Sequence, residues 1–205
     1  MINCGIGMLN KLETLLSILL EVLHNNTTYW VDFGTLLGLV RENNIIPWDK
    51  DIDISTWEND FEITKNLFLN NPLLAEYRVD IFSSPSKKRI DILTLDNIDL
   101  ADIYAWKNEK DKNGINRNCD KSFEHFNNIL AVKESHVGTP IEIKTKYGNA
   151  FIPEFYEDRL IYLYGNDWQT PDTTKNYWSW SEFNKRRRNG KNKNISPNRY
   201  TVRRI

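Results

Sequence analysis

The spacing of hydrophobic and polar residues predicts a helix, a strand, a short helix and a second strand in the first quarter of the chain. Apolar residues recur at helical intervals over 8–23, and β-branched and aromatic residues fill Thr28–Phe33. Gly34 and Thr35 then turn the chain into a short predicted helix over Leu36–Arg41. Polar and apolar residues alternate from Asp49 to Ser55, which predicts a strand.

The rest of the chain carries weaker patterns, and together they predict an α+β fold. A helix is expected over Glu58–Asn70, a hairpin from Tyr77–Phe82 and Arg89–Leu95, and a further strand at Ile103–Trp106. Asn108–Lys121 is expected to be an exposed loop. The last predicted helix, Glu154–Tyr164, follows Pro153 and ends at Gly165, and Tyr147, Tyr164 and Trp168 are expected to pack it onto the sheet.

Length and charge predict one domain with a basic tail. The 205 residues suit a single catalytic domain over 1–184, and residues 185–205 hold nine Lys or Arg and no acid. We expect this tail to be flexible, solubilising or interacting, and nucleic acid is not an expected partner. Two distant cysteines exclude a disulfide framework, and no transmembrane or signal segment is apparent. A soluble cytoplasmic protein is therefore expected.

Three aspartates in the second predicted strand are candidates for a metal site. In a strand, Asp49, Asp51 and Asp53 would point to one face, while Ile52 and Ile54 would point to the other. Three like charges repel each other, so packing alone does not account for them. Mg²⁺ prefers hard oxygen ligands and takes one or two carboxylates plus substrate phosphates. The spacing therefore predicts a site for magnesium, or for manganese.

A candidate phosphate site precedes the aspartates. Gly34 allows a close approach of the backbone, and the start of a helix at Thr35 offers free N–H groups to phosphate, although Thr35 could also simply cap the helix. Arg41 on the same helix could bind a phosphate oxygen or form a surface ion pair. Asp91, in a strand between two isoleucines, is the candidate third carboxylate.

These motifs resemble the LicD/fukutin-related family. The resemblance rests on Phe33-Gly-Thr-Leu-Leu-Gly-Leu-Val-Arg41 and Ile46-Pro-Trp-Asp-Lys-Asp-Ile-Asp-Ile54, and on a later signature of Ile152-Pro-Glu, Tyr164-Gly-Asn-Asp-Trp168 and Pro171. Many members have an acid where this chain has Lys50, which by strand alternation should point away from the carboxylates. Strand, Gly-Thr turn, helix and a strand with Asp-x-Asp is also the layout of the polymerase-beta-like nucleotidyltransferase fold.

The resemblance implies a magnesium-dependent transferase. It would move a phospho-alcohol such as phosphocholine or an alditol phosphate from a CDP-linked donor to a glycan hydroxyl and release CMP. The implied metal ligands are Asp51, Asp53 and Asp91, and the implied phosphate-binding turn is Gly34 and Thr35. Asp49 is either an outer ligand or the general base.

Two further residues are candidates for substrate binding, and two other functions stay open. Trp48 could stack on the cytosine base or anchor the loop in the core. Arg89 could meet a phosphate, although a solvated cation is the simpler expectation. The same residues would also serve a true nucleotidyltransferase that uses a nucleoside triphosphate, or a non-catalytic module that binds nucleotide or glycan.

Overall fold

The chain forms an α+β fold around a mixed sheet with helices on its flanks. The computed structural model describes residues 3–69, 71–84, 87–110, 115–119 and 132–171. The strands are β1 (Tyr29–Val31), β2 (Ile52–Trp57), β3 (Arg78–Ser84), β4 (Lys87–Leu93), β5 (Asp99–Lys110), β6 (Ile115–Asn118), β7 (Val132–Lys133), β8 (Ile141–Thr145) and β9 (Gly148–Ile152). The helices are α1 (Asn3–Leu23), α2 (Phe33–Glu42), α3 (Phe61–Leu69), α4 (Glu134–Val137) and α5 (Tyr156–Tyr164), and short 3-10 turns occupy Glu58–Asp60 and Pro72–Leu74.

Five strands form the centre of the sheet in the order β1-β2-β5-β4-β3. The pair β2 and β5 is parallel, whereas β1 with β2, β5 with β4 and β4 with β3 are antiparallel. Strand β6 adds to β5, β7 adds to β6, and β8 with β9 makes a separate hairpin. The predicted α+β class is therefore confirmed, while its assignment to the polymerase-beta-like type stays a prediction.

The hydrophobic core lies where the apolar stripe of α1 and the isoleucines of the central strands are buried. Leu12, Leu16 and Leu19 of α1 are fully buried at helical spacing, which is why this segment forms an amphipathic helix. Ile52 and Ile54 of β2 alternate with polar residues and are also fully buried. Each such aliphatic side chain contributes about 1.5–3 kcal/mol to folding. The isoleucines thus fix which face of the sheet the intervening aspartates occupy.

Most predicted elements are present, with shifted ends. The hairpin of β3 and β4 is confirmed. Strand β5 spans twelve residues and not the four predicted, so Asn108 is part of a strand, and Cys119 in the expected loop is buried. Helix α5 begins at Tyr156, so Pro153 precedes the helix instead of opening it. The hairpin of β8 and β9 was not predicted.

Three predictions concern membrane-spanning segments, the basic tail and the exposed loop, and the structure describes only part of the residues involved. None of the helices in the described ranges is long and apolar enough to cross a membrane. The basic tail over 185–205 lies outside the described residues, as do 111–114 and 120–121 of the predicted exposed loop. The division into a domain over 1–184 and a tail stays a prediction.

Candidate active site

Aspartates occupy paired positions across five neighbouring segments of the sheet. Asp53 on β2 lies opposite Asp102 on β5, Asp102 opposite Asp91 on β4, and Asp91 opposite Asp80 on β3. Asp32 follows β1 directly and extends the set, because its backbone N–H donates to the carbonyl of Asp53 at 3.1 Å. Side chains at directly opposed positions point to the same face of a sheet. These five residues are called the aspartate row.

Arginines neutralise the two ends of the aspartate row. The ion pairs join Arg159 to Asp32, Arg89 to Asp91 and Arg78 to Asp80. The Arg159 guanidinium donates to both carboxylate oxygens of Asp32 at 2.9 Å, and both side chains are 0% exposed. Burial of two charges is favourable only with such complete pairing. Arg159 and Arg78 therefore hold the two ends of the row, while Arg89 lies within charge range of both Asp91 and Asp102.

The carboxylate of Asp53 is buried and surrounded by other negative charges. The Asp53 side chain is 0% exposed. Burial raises the pKa of Asp53 well above its ordinary value, and the negative charges of Asp49, Asp102 and Asp32 raise it further. The backbone amide of Gly34 acts in the opposite direction. A ligand with positive charge at this point would relieve the repulsion.

The start of α2 is fixed against β2 next to these carboxylates. The Asp32 carboxylate caps the helix by accepting the N–H of Phe33 at 2.9 Å. Phe33 has a φ of 46°, a strained conformation for an aromatic residue and one that often marks functional sites. The hydroxyl of Thr35 accepts the backbone N–H of Asp53 at 2.8 Å. Thr35 thereby joins the first turn of α2 to the strand that carries Asp53.

Gly34 leaves the space that the Asp49 carboxylate occupies. A Cβ atom at position 34 would lie 2.3 Å from the Oδ2 atom of Asp49. The turn that places Asp49 there is closed by its backbone N–H, which donates to the carbonyl of Ile46 at 2.8 Å. A side chain larger than hydrogen at position 34 would displace this carboxylate.

The prediction of a strand over Asp49–Ser55 was wrong at its beginning, since β2 begins at Ile52. Asp49 lies in a turn in which its Oδ1 atom accepts the N–H of Lys50 at 3.0 Å, so strand alternation does not apply there. Of the three predicted same-face aspartates, only Asp53 is part of the strand. The charge of Asp49 nevertheless raises the pKa of Asp53 from the turn, while Asp51 is half-buried at the point where the turn meets β2.

The carboxylate next to Asp53 in the sheet is Asp102, which the sequence analysis missed. Strand β5 lies between β2 and β4, so the predicted Asp91 is one strand further away. The Tyr104 hydroxyl donates to Asp102 at 2.8 Å. Leu100, Ala101 and Ile103 around Asp102 repeat the pattern of Ile90 and Ile92 around Asp91, a signal that was available had the strand been predicted to begin before Ile103.

The predicted cationic and aromatic residues lie in different surroundings. Arg89 is buried beside Asp91, so the expectation of a solvated cation was wrong. Arg41 lies in the last turn of α2, where it pairs with Glu42 at 2.6 Å and donates to the carbonyl of Trp168 at 3.3 Å. Trp48 is 47% exposed, which excludes its role as a buried anchor.

Residues of α5 complete the surroundings of the carboxylates and were also missed as site residues. The Arg159 guanidinium reaches Asp32 from α5 and lies over the Phe33 ring at 5.1 Å. The Tyr164 ring is buried, as predicted, and the charges of Asp53 and Asp49 raise the pKa of its hydroxyl. The available signal was an arginine directly before the run Leu160–Tyr164, which contains only aliphatic and aromatic residues.

Carboxylates of the candidate site fit a metal ion that is shared with a substrate. Within the described residues, no group of three or more His, Cys, Asp or Glu side chains is arranged to hold a metal ion by itself. Magnesium, however, usually takes only one or two carboxylates and completes its shell with water and substrate phosphates. Asp53 and Asp102 lie at paired positions, and the pKa of Asp53 is raised. Both features fit a magnesium site that is completed by substrate phosphates.

Comparison with known proteins supports the predicted resemblance. Residues 26–112 match the family model described as LicD/FKTN/FKRP, nucleotidyltransferase domain, so the resemblance is confirmed over this segment. The segment contains the whole aspartate row. The later signature around Tyr164 lies outside it and stays a prediction.

Two relatives are uncharacterized proteins of Rickettsia. The one from Rickettsia typhi is 36% identical over 88 residues, which are 43% of this chain and 26% of that protein. The one from Rickettsia prowazekii is 53% identical over 36 residues, which are 18% of this chain and 14% of that protein. The chain therefore matches only a minor part of the length of these relatives.

Proposed function

We propose that this chain is a magnesium-dependent transferase that moves a phospho-alcohol from a CDP-linked donor to a glycan hydroxyl and releases CMP. The observation that carries the proposal is the pair Asp53 and Asp102 on adjacent parallel strands, beside the start of α2. The family match over residues 26–112 supports a transferase of the phosphate-transfer kind. Donor, metal and acceptor are parts of the proposal.

Asp53 and Asp102 would hold the metal, with Asp51 as a further ligand. When bound, magnesium would offset the negative charge of the donor diphosphate. Asp91 keeps a different role in this scheme from the one predicted for it. Its ion pair with Arg89, at 2.6 Å between Nε and Oδ1, holds that cation on the face of the aspartate row.

The remaining residues would bind the donor and accept a proton. The first turn of α2, at Gly34 and Thr35, would face the nonbridging phosphate oxygens. Trp48, exposed and next to Asp49, would stack on the cytosine base. In the transfer step a glycan hydroxyl oxygen bonds to phosphorus, the bond from phosphorus to the CMP oxygen breaks, and Asp49 accepts the hydroxyl proton.

A donor screen with product analysis tests this function. The protein is mixed with CDP-choline, CDP-ribitol, CDP-glycerol, CTP or UTP, each with magnesium and, as the control, with a chelator. A ligand of the folded state raises the melting temperature by mass action, and at 100 times its Kd it adds about 2.7 kcal/mol. We expect a CDP-alcohol to stabilise the protein and, once a mixed glycan acceptor is added, to yield CMP only with magnesium.

The products separate this function from its alternatives. Pyrophosphate released from CTP or UTP, without CMP from any CDP-alcohol, would identify a true nucleotidyltransferase instead. Stabilisation by a nucleotide without any product, even with a mixed glycan acceptor, would identify a binding module. Either result would overturn the proposal.

A further inference from the structure

Helix α5 ends in Tyr164, a buried tyrosine whose hydroxyl has no hydrogen-bond partner among the described residues. Tyr164 is 3% exposed, and its hydroxyl oxygen is buried without a hydrogen-bond partner in the described part of the chain. Buried tyrosine hydroxyls nearly always have a partner, because an unsatisfied donor in the interior costs free energy. The Tyr164 hydroxyl therefore requires a physical explanation.

The surroundings of this hydroxyl are the carboxylates of the candidate site. Burial raises the pKa of Tyr164 well above its ordinary value, and the charges of Asp53, Asp49 and Asp32 raise it further while Arg159 lowers it. An ordinary phenol is already protonated at neutral pH, so the Tyr164 hydroxyl is a neutral hydrogen-bond donor.

A second buried tyrosine provides the comparison. The Tyr29 hydroxyl is also buried, but it lies against the backbone of Phe151, which acts on it as a hydrogen-bond partner, and near the charge of Glu142. Tyr29 and Tyr164 are thus both buried tyrosines of the described part of the chain. Of these two, only Tyr164 combines burial with a position among the aspartates next to the start of α2.

Helix α5 holds Tyr164 firmly in this position. Five residues earlier, Arg159 binds Asp32 through two hydrogen bonds of 2.9 Å. Directly after Tyr164 the helix ends at Gly165, whose φ is 95° and whose N–H donates to the Ile161 carbonyl at 2.8 Å. The phenol is thereby fixed relative to Asp32, the cap of α2.

We propose that Tyr164 is a substrate-contacting residue whose hydroxyl donates a hydrogen bond to a phosphate oxygen of a ligand bound beside Asp49 and Asp53. Ionised carboxylates and phosphate oxygens are both hydrogen-bond acceptors, so a phosphate bound beside these carboxylates needs donors from the protein. Tyr164 supplies one without adding charge. The inference rests on the proposed function for the identity of the ligand as a cytidine diphosphate compound.

The test compares Tyr164→Phe with the matched control Tyr29→Phe, since each removes one buried hydroxyl and keeps the ring. Binding of CDP and of pyrophosphate, each with magnesium, is measured by calorimetry on the full chain below the melting temperature of every variant. A hydrogen bond to a charged group lost from the complex weakens binding by roughly tenfold to a hundredfold. We expect this loss for both probes in Tyr164→Phe and wild-type affinity in Tyr29→Phe.

Other outcomes decide between the two proposals. Wild-type affinity in Tyr164→Phe, or in Tyr164→Leu if the first variant folds poorly, would show that Tyr164 only packs, and it would leave the proposed function intact. A wild-type protein that binds CDP but releases no CMP from any donor would overturn the function, while the affinity of Tyr164→Phe would still decide the contact. If the wild-type protein binds neither probe, both proposals fail.

Discussion

Close packing around the first turn of α2 makes single residues decisive for the geometry of the site. Gly34 is the clearest case, because the Asp49 carboxylate occupies the space where a side chain at position 34 would begin. Thr35 is another, since its hydroxyl binds the backbone of the strand that carries Asp53. The sequence motif shows only that Gly34, Thr35, Asp49 and Asp53 are close along the chain, whereas the structure shows which of them contact each other.

Gly34→Ala is expected to lower the rate of CMP release by about tenfold to a hundredfold, because a displacement of about 1 Å in a reacting group can cost that much. The free energy of unfolding should change by less than about 1 kcal/mol, since alanine favours the helix and the flexible Asp49 can move. Enzyme assays and urea unfolding measure the two effects.

The matched control for this change is Gly7→Ala in α1, where a Cβ would meet no atom within 4 Å. This variant should keep the wild-type rate and gain about 0.5–1 kcal/mol of stability. An unchanged rate in Gly34→Ala would show that the position of Asp49 does not matter for the reaction.

Asp53 should make the stability of the metal-free protein depend on pH in a defined direction. Its pKa is raised in the folded state by burial and by neighbouring carboxylates, so the folded state binds the proton more tightly than the unfolded state. The contribution of Asp53 to the free energy of unfolding therefore falls as the pH rises from the unfolded pKa, about 3.9, through the higher folded pKa.

We accordingly expect Asp53→Asn to be more stable than the wild type at pH 8 in the presence of a chelator. The difference should shrink as the pH is lowered towards about 4, because both proteins then carry a neutral group at position 53. Urea unfolding at several pH values measures the difference. A destabilised Asp53→Asn, equally so at each pH, would contradict the assigned electrostatics.

At the scale of elements, a buried ion pair joins α5 to the segment between β1 and α2. Asp32 accepts hydrogen bonds from Arg159, Trp30, Ser55 and the backbone of Phe33. This one carboxylate therefore caps α2, supports β2 and positions the helix that carries Tyr164. Its role is to hold the elements of the site together.

Asp32→Ala should lower the free energy of unfolding by about 3–5 kcal/mol, because it leaves the buried Arg159 charge without its carboxylate. Asp80→Ala is the control, since it also breaks an Arg–Asp pair but an exposed one, for which about 0–1 kcal/mol is expected. Urea unfolding at neutral pH compares the two. Equal losses would show that the buried pair does not carry the stability assigned to it.

The arrangement of strands and helices explains why the sequence analysis identified Gly34 and Asp53 but not Asp102 or Arg159. The motif around Gly34 and Asp53 is local, so periodicity and turn chemistry located it. The neighbour of Asp53 depends on strand order, and local alternation cannot reveal that β5 inserts between β2 and β4. For this reason the sequence analysis named Asp91 as the third carboxylate and did not consider Asp102. The Arg159 contact joins residues 127 positions apart and leaves even less trace in the sequence.

At the scale of the whole molecule, the sheet brings aspartates from separate segments into one row and places arginines at its ends. The segment matched by the family model, residues 26–112, provides the row, whereas α5 beyond it provides Arg159 and Tyr164. The proposed chemistry therefore needs both residues 26–112 and helix α5. Its proposed metal site is formed by Asp53 and Asp102.

The most direct measurement is magnesium-dependent CMP release from a CDP-alcohol by the wild type, Asp102→Asn and Asp80→Asn. We predict CMP release by the wild type, a rate lower by about a hundredfold or more in Asp102→Asn, and a near-normal rate in Asp80→Asn at the ion-paired end of the row. A wild-type rate in Asp102→Asn, or no CMP from the wild type with any donor, would contradict this prediction.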